Sequence, residues 1–166
     1  MLTGKKIVLG VSGGIAAYKM ANVASMLSKL HADIHVVMTE NATHFITPET
    51  FEVLTGNHCY TDTFDRCMEL HVPHIALGTQ ADAILIAPAS ADVVGKIANG
   101  IADDMLTTCV LPATCPVMLA PSMNVHMYEN PIVQDNMKKL ASYGYEIIEA
   151  DEGYLACRDI GKGKLP

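Results

Sequence analysis

The sequence predicts one doubly wound α/β domain built on a parallel sheet. Three observations support this fold: half of the 166 residues are hydrophobic (50%), short apolar runs alternate with segments of helical periodicity, and no linker or internal repeat divides the chain. We therefore expect residues 1–166 to form a single Rossmann-like domain. Ligands of such folds lie beyond the carboxyl ends of the strands, so the turns that follow each strand are the places to look for chemistry.

The first half of the chain begins with a strand, a turn, a helix and a second strand. The apolar run 6–9 predicts a short buried strand, the glycine-rich run 10–14 a turn, and the apolar positions spaced through 20–30 a helix. Residues 33–38 form the next predicted strand. Pro48 to Leu54 is typical of a short helix that ends at Gly56, and an irregular stretch is expected from Cys59 to His71.

The second half continues the alternation. Residues 83–87 predict a buried strand, residues 91–101 a helix of small residues, and residues 116–120 another strand. Asn130 and Pro131 open a helix that runs through Ser142 and ends at Gly144, and residues 146–148 supply the last predicted strand. Repeated strand and helix units of this kind make parallel sheets with right-handed crossovers.

Composition limits the partners of the domain. The formal net charge of -7 argues against a nucleic-acid partner, and no apolar stretch is long enough to span a membrane. Only 17% of residues are charged, which predicts that other subunits cover part of the surface, so we expect a homo-oligomer. The five cysteines form no CxxC pair and are odd in number, which favours a reducing, cytoplasmic location.

Three hydroxyl-bearing turns follow predicted strands. The first carries glycines at a helix start but matches neither the dinucleotide fingerprint nor the P-loop, so alone it is equally well explained as an ordinary tight turn. For each of the others, taken singly, an ordinary helix N-cap is the better explanation. Together they can hold one phosphorylated cofactor, because backbone amides at a helix N-terminus favour an anion. The predicted cofactor residues in these turns are Ser12, Gly13, Gly14, Ile15, Thr39, Ser90, Ala91 and Asp92.

A fourth turn, in residues 121–128, places an amide side chain between methionines. Asn124 can donate hydrogen bonds to a carboxylate, and Met123 can line a flat ring, which makes it a further candidate for cofactor binding. Methionines in such a place also serve as core filler. The amide is harder to explain as packing.

The last residues, 155–166, combine a thiol with positive charge. Cys157 is followed by Arg158, Lys162 and Lys164, and positive neighbours favour the reactive thiolate. Glycines at 161 and 163 give backbone freedom, so this segment predicts a flexible lid over the site. A frayed, solvated C-terminus is the alternative.

His74 is a candidate for catalysis or for a structural hydrogen bond. Cys67, His71 and His74 lie at helical spacing and raise the possibility of zinc. Pro73 disfavours the helix that would bring the three to one face, and no fourth ligand is evident, so no metal site is predicted.

Four motifs, in this order along nearly the whole chain, resemble the homo-oligomeric flavin-containing cysteine decarboxylases: residues 12–19, 88–104, 121–128 and 156–164. The resemblance implies non-covalent FMN and trimers, often assembled into dodecamers, with sites between subunits. It also implies His74 as the active-site histidine, Asn124 as the amide that binds the carboxylate, and Cys157 as the proton donor of a final reduction. Asp92 stands where many members have asparagine.

Within that family, the motifs are most similar to members that act on 4'-phosphopantothenoylcysteine on the route to coenzyme A. The implied reaction oxidises the thiol carbon to a thioaldehyde, loses carbon dioxide, and reduces the resulting enethiol with flavin electrons. Ala156, Arg158 and Lys162 are expected to contact the substrate. In many bacteria a phosphopantothenoylcysteine synthetase domain follows this point of the chain.

Two other functions fit the same resemblance. A peptidyl-cysteine decarboxylase of lantibiotic maturation stops at the enethiol, and an enzyme of that kind needs no second proton donor such as Cys157. A non-catalytic FMN-binding regulator is the other alternative. Its known examples carry long acidic tails, whereas this chain ends at Pro166.

Overall fold

The computed structural model describes residues 1–64, 72–156 and 159–166. These residues form a six-stranded, all-parallel sheet and a separate two-stranded hairpin. The sheet strands are β1 (Lys6–Val11), β2 (Asp33–Met38), β3 (Cys59–Tyr60), β4 (Ala83–Ala89), β5 (Val117–Pro121) and β6 (Glu146–Ile147), in the order β3-β2-β1-β4-β5-β6. This is the doubly wound order: β2 and β3 are added on one side of β1, and β4 to β6 on the other, so the topological switch point lies between β1 and β4.

Helices connect the strands: α1 (Met20–Lys29), α2 (Pro48–Thr55), α3 (Pro73–Gln80), α4 (Ala91–Ala98), α5 (Met105–Val110), α6 (Val125–Tyr128) and α7 (Pro131–Ser142). Short 3₁₀ helices occupy Ile15–Lys19 and Glu40–His44. Alternate residues of a strand face opposite sides, so Val8 of β1 packs into one buried cluster while Leu9 packs into another. The sheet is therefore covered by helices on both faces, as the buried apolar strands require.

The helices begin and end at the capping residues that the sequence predicts. Gly56 adopts a positive φ of 75° directly after α2, and Gly144 one of 91° just beyond α7. Asn130 caps α7, since its side chain accepts a hydrogen bond from the Ile132 amide at 2.9 Å, and Pro131 takes the first helical position. These three expectations are confirmed.

Other expectations were incomplete. Helix α4 ends at Ala98 rather than at residue 101, and α3 and α5 were not predicted. The irregular stretch expected from Cys59 to His71 begins with the short strand β3, and its residues 65–71 lie outside the described ranges. The strand expected over residues 146–148 is present as β6. It is not the last strand, because β7 (Asp151–Tyr154) and β8 (Ile160–Lys164) follow it and pair as an antiparallel hairpin.

The hairpin packs on the turn between β5 and α6. The Met123 amide donates to the Gly163 carbonyl at 3.0 Å, and Leu155 and Leu165 are buried. A Cβ on Gly161 would come within 2.6 Å of the Val125 side chain, and one on Gly163 would collide with the Met123 carbonyl oxygen. We interpreted these glycines as flexible joints; the structure gives them close backbone packing instead. The motion of a lid stays a prediction.

None of the helices in the described ranges is long and apolar enough to cross a lipid bilayer.

Candidate active site

A crevice of about 700 Å³ lies at the carboxyl ends of β1, β4 and β5, the edge where a doubly wound sheet binds ligands. The turn after β1 supplies one wall, the start of α4 a second, and the turn after β5 a third. The hairpin β7–β8 covers it from the fourth side. Four segments distant in sequence, all predicted to carry chemistry, therefore meet at one place.

The wall after β1 is a backbone surface. Gly13, Gly14 and Ile15 line the crevice, and a Cβ on Gly13 would overlap the Asn41 side chain. Only glycine allows this close approach of two loops. The 3₁₀ helix Ile15–Lys19 begins here, and the first amides of a helix have no intrahelical acceptor. This wall can therefore offer N–H groups to an anion.

Ser12 lies behind that wall and is fully buried. Its hydroxyl donates to the Pro88 carbonyl at 2.5 Å and accepts from the Ser90 amide at 2.9 Å. Because its one hydrogen is already used, it has none to give to a phosphate. The structure thus gives Ser12 a different role from the direct contact we expected: it fastens the turn after β1 to the turn after β4.

The wall at α4 contains Ser90 and Ala91. Ser90 caps α4 by accepting from the Val93 amide at 3.3 Å, which leaves its hydroxyl hydrogen able to serve a ligand. Asp92 does not line the crevice: it is 58% exposed and pairs with Lys96 at 3.2 Å. Lys96 also reaches Asp103 at 3.2 Å. The structure does not bring Asp92 to the place expected for a cofactor contact.

Thr39 is also absent from the crevice lining. It is buried, and its side chain accepts from the Ala42 amide at 3.3 Å to cap the Glu40–His44 helix. That helix places Asn41 against Gly13. Thr39 therefore supports the glycine wall from behind, and a contact with the cofactor stays a prediction.

The turn after β5 presents Met123 and Asn124 to the crevice. Asn124 caps α6, its Oδ1 accepting from the His126 amide at 2.9 Å. Its Nδ2 donates to Oδ2 of Asp159 at 3.0 Å. The amide group can thus donate toward a carboxylate, and one such contact is already present within the protein.

The hairpin contributes Ala156, as expected, together with Tyr154, Leu155 and residues 163–165, which we had not predicted as lining. Cys157 and Arg158 lie outside the described residues. The residues that flank them are held together, because the Leu155 amide donates to the Asp159 carbonyl at 2.9 Å. Leu155 and Asp159 are therefore held beside each other, and the Asp159 side chain contacts the Asn124 amide.

The two lysines of β8 face opposite sides of the hairpin. Glu152 pairs with Lys162 and Asp151 with Lys164, so one extra residue, Gly163, interrupts the register. Asp151 and Glu152 are consecutive in β7, so their side chains point to opposite faces. Because the bulge pairs them with Lys164 and Lys162, these two lysines also lie on opposite faces. Lys164 consequently lines the crevice, while Lys162 lines a second cavity of about 620 Å³.

Lys162 is occupied by an ion pair. Its Nζ donates to Oε2 of Glu149 at 3.1 Å, and this hydrogen bond raises the lysine pKa. The structure therefore does not bring Lys162 to the crevice, where we had placed it as a substrate contact.

The described part of the crevice lining carries positive charge and no carboxylate, although the whole chain has a formal net charge of -7. Lys19 donates to the Leu165 carbonyl at 3.0 Å, and Lys164 forms no ion pair within the described ranges. Such local positive charge favours an anionic ligand. Lys19 was missed from the sequence because it follows the glycine turn by a full helical turn.

His74 lies in the first turn of α3, directly after Pro73, and does not line the crevice of its own chain. Its Nδ1 is buried without a hydrogen-bond partner among the described residues. Cys67 and His71, the other residues weighed for zinc, lie outside those residues, and the described ranges hold no group of three or more metal-ligating side chains.

Two of the three described free thiols, Cys59 and Cys109, are buried in the core. Burial raises the pKa of Cys59 and of Cys109 to about 12, and it also raises the pKa of Cys115. A thiol with so high a pKa is protonated at neutral pH and inert as a nucleophile. None of the three lines the crevice.

Comparison with known proteins gives a consistent picture. The family model described as Flavoprotein matches residues 1–166. The coenzyme A biosynthesis bifunctional protein CoaBC of Bacillus subtilis is 50% identical over 165 residues; the match covers 99% of this chain and 41% of that protein. The Streptococcus mutans protein named "Probable phosphopantothenoylcysteine decarboxylase" is 44% identical, with 97% and 91% covered.

Solved structures share the fold. The FMN-dependent cysteine decarboxylase SpaF superposes with a TM-score of 0.86 at 36% identity, covering 98% of this chain and 92% of that one. A PPC decarboxylase mutant complexed with pantothenoylaminoethenethiol gives a TM-score of 0.86 at 30% identity, covering 98% and 91%. The chain thus spans less than half of the bifunctional relative and nearly all of the single-domain proteins.

Proposed function

Because the chain belongs to the flavoprotein family, we propose that it decarboxylates 4'-phosphopantothenoylcysteine to 4'-phosphopantetheine with FMN bound in the crevice. The observation that carries this proposal is the contact of the Asn124 amide with Asp159, two positions after Cys157 in the chain, at a crevice that also has a glycine wall and the positive charge of Lys164. The named relatives of coenzyme A biosynthesis support the choice of substrate.

The residues present fit FMN. Gly13 and Gly14 present only backbone to the crevice, where the first amides of the Ile15–Lys19 helix can bind a phosphate. The Ser90 hydroxyl can donate to the same ligand, and Met123 offers a flat apolar surface to a ring. Bound FMN supplies two-electron chemistry, taking two electrons from the thiol-bearing carbon and returning them after carbon dioxide has left.

The side chains of this chain hold the substrate and move its protons. Asn124 donates from Nδ2 to the substrate carboxylate and orients it for loss of carbon dioxide. Cys157 gives a proton to the enethiol carbon in the final reduction. His74 accepts the thiol proton or orients the thiol. Ala156 and Arg158 contact the bound substrate.

We further propose that the chain works as a homotrimer or as a homododecamer of four trimers, with His74 reaching the crevice of a neighbouring subunit. The position of His74 outside its own crevice supports this arrangement. Ile15, Tyr18 and Met127 line the crevice yet stay about half exposed, as expected of apolar groups that a neighbour or a flavin covers.

The substrate is made by joining cysteine to a phosphorylated pantothenate, so the chain functions with a phosphopantothenoylcysteine synthetase activity, on the same polypeptide or a separate one. The bifunctional relatives support this pairing. We place the protein in the cytoplasm, where its free Cys59, Cys109 and Cys115 remain reduced.

One experiment tests the function. The purified protein is expected to show the absorption bands of oxidised flavin and to convert 4'-phosphopantothenoylcysteine to the saturated thiol, identified by mass. Flavin with conversion only to the enethiol, or turnover of a peptide ending in cysteine, would favour a peptidyl-cysteine decarboxylase, the activity named for the similar solved structure EpiD. Flavin without any turnover would indicate a binding protein. A protein that cannot be loaded with FMN contradicts all three.

The two lysines of β8 provide a matched pair for substrate recognition. We expect Lys164→Gln to raise KM for the phosphorylated substrate by about tenfold, because a charge-assisted hydrogen bond contributes about 1.5–3 kcal/mol. KM for the dephosphorylated analogue should not change. Lys162→Gln, which only breaks the pair with Glu149, should leave both values at wild type. The reverse result would restore Lys162 as the substrate contact.

A further inference from the structure

Ser12 is a fully buried residue at the point where strands β1 and β4 separate. The ladder between the two strands ends at the pair Gly10 and Ile86. Beyond it, the Ile15–Lys19 helix packs into one buried cluster and α4 into the other, on opposite faces of the sheet. The two segments that form neighbouring walls of the crevice therefore leave the sheet in opposite directions.

The side chain of Ser12 joins these segments where the backbone ladder has ended. Its hydroxyl donates to the Pro88 carbonyl at 2.5 Å and accepts from the Ser90 amide at 2.9 Å. The Ser12 backbone amide donates to the same carbonyl at 3.3 Å. A serine hydroxyl both donates and accepts, so no apolar side chain of this size can make the two side-chain bonds.

The end of β4 also holds the turn on its other side. The Ala89 carbonyl accepts from the Ser122 amide at 3.1 Å, which ties β4 to the turn after β5. Gly14, in the turn after β1, lies against Pro88, since a Cβ built on Gly14 would be 3.8 Å from the Pro88 ring. The end of β4 is therefore the common support of the three turns that line the crevice.

We propose that Ser12 is a positioning residue for the phosphate of FMN: it fixes the wall after β1 relative to Ser90, so that both walls can bind the phosphate at once. The inference rests on the proposed function, because it concerns how the same crevice selects its cofactor. Ser12 does not line the crevice, and its one hydrogen is donated to Pro88, so it acts through its neighbours.

The two walls offer different groups to one anion. Gly13 and Gly14 present only backbone, and the Ser90 hydroxyl, which accepts from the Val93 amide, can still donate. Hydrogen bonds weaken steeply when their distance and angle depart from the preferred geometry. A shift of one wall against the other should therefore weaken binding of the phosphate more than binding of the rest of the flavin.

The test compares the affinity of the full chain, freed of flavin, for FMN and for riboflavin, which has the same ring and no phosphate. Ser12→Ala should bind FMN about tenfold more weakly, the order expected when hydrogen bonds to a charged group are misplaced. Its affinity for riboflavin should stay at the wild-type value. The preference for FMN, measured by quenching of flavin fluorescence, should therefore fall by the same factor.

Thr107→Val is the matched control. Thr107 is a buried residue outside the crevice whose hydroxyl donates to Oδ1 of Asp104 at 2.7 Å and accepts from the Asp104 amide at 3.2 Å. Both variants should lower Tm, because each deprives a backbone amide of its acceptor. Only Ser12→Ala should reduce the preference for FMN. An equal reduction in the two variants would overturn the inference.

A second variant and a second readout serve if Ser12→Ala is too unstable to purify. Ser12→Cys keeps a side chain of similar size, but a thiol makes weaker hydrogen bonds, so the preference for FMN should fall by less and in the same direction. The phosphorus resonance of bound FMN should shift in this variant and stay at its wild-type position in Thr107→Val.

Three results contradict the role of Ser12. They are a Ser12 variant that keeps the wild-type preference for FMN, one that loses affinity for FMN and riboflavin equally, and an unshifted phosphorus resonance in Ser12→Cys. The second of these would leave Ser12 a purely structural role. Binding of FMN by a wild-type protein that shows no turnover would count against the proposed decarboxylation alone.

Discussion

Asn124→Asp is expected to abolish turnover while leaving the fold and bound FMN intact. The new carboxylate would face the substrate carboxylate and would also stand against Oδ2 of Asp159, which now lies 3.0 Å from the amide nitrogen. Like charges at this distance repel, and the donor that held the substrate is lost. We expect kcat/KM to fall roughly a hundredfold or more, because an unpaired charged group costs more than the 1–3 kcal/mol of a neutral one. Release of carbon dioxide measures the loss.

Aspartate caps a helix as well as asparagine does, so α6 should keep its start. Asn130→Asp makes the same chemical change at the cap of α7, outside the crevice, and should retain the wild-type rate. Wild-type turnover by Asn124→Asp would remove this residue from the mechanism. An equal loss of activity in Asn130→Asp would show that the effect comes from the changed helix cap and not from the active site.

Co-expression of two inactive variants tests whether a site is shared between subunits. If His74 completes the site of a neighbour, oligomers mixed from Asn124→Asp and His74→Asn chains contain some crevices with both wild-type groups, and a fraction of the activity should return. Two inactive variants that stay inactive when mixed would place both residues in the crevice of one chain, against the subunit arrangement proposed above.

Local sequence patterns predicted the sheet well where one physical signal dominates. Strand β2 was expected over 33–38 and is observed over Asp33–Met38. A short apolar run between a helix and a turn is buried as a strand of the central sheet. The cap at Asn130 and the glycine ends of α2 and α7 follow from equally local chemistry. The turns after β1, β4 and β5 gather in one crevice, as expected from the rule that parallel strands share a carboxyl edge, whereas the turn with Thr39 does not line it.

The remaining features depend on contacts that no local pattern contains. Ser12 looked like a phosphate ligand, yet Pro88 and Ser90, more than seventy positions away, use its hydroxyl. The glycines of β8 were predicted to be flexible joints, but in the structure they allow close packing against Met123 and Val125. Strand periodicity would put Lys162 and Lys164 on one face, and only the bulge at Gly163 separates them.

Cys157→Ser is expected to separate the two halves of the reaction. The variant should bind FMN and release carbon dioxide, yet accumulate the oxidised enethiol, because a serine hydroxyl is a far weaker acid than a thiol. General acid catalysis commonly contributes about a hundredfold or more, so formation of the saturated thiol should fall by at least that factor. Mass measurement of the product distinguishes the two outcomes, since the enethiol lacks two hydrogen atoms.

No described thiol can replace Cys157 in this step, because Cys59, Cys109 and Cys115 do not line the crevice. Cys115→Ser, at a half-buried thiol outside the crevice, is the matched control and should give the saturated product. Saturated product from Cys157→Ser at the wild-type rate would refute the assignment. Since Asn124 acts before carbon dioxide leaves and Cys157 after it, the double variant should release none and accumulate no enethiol, which orders the two steps.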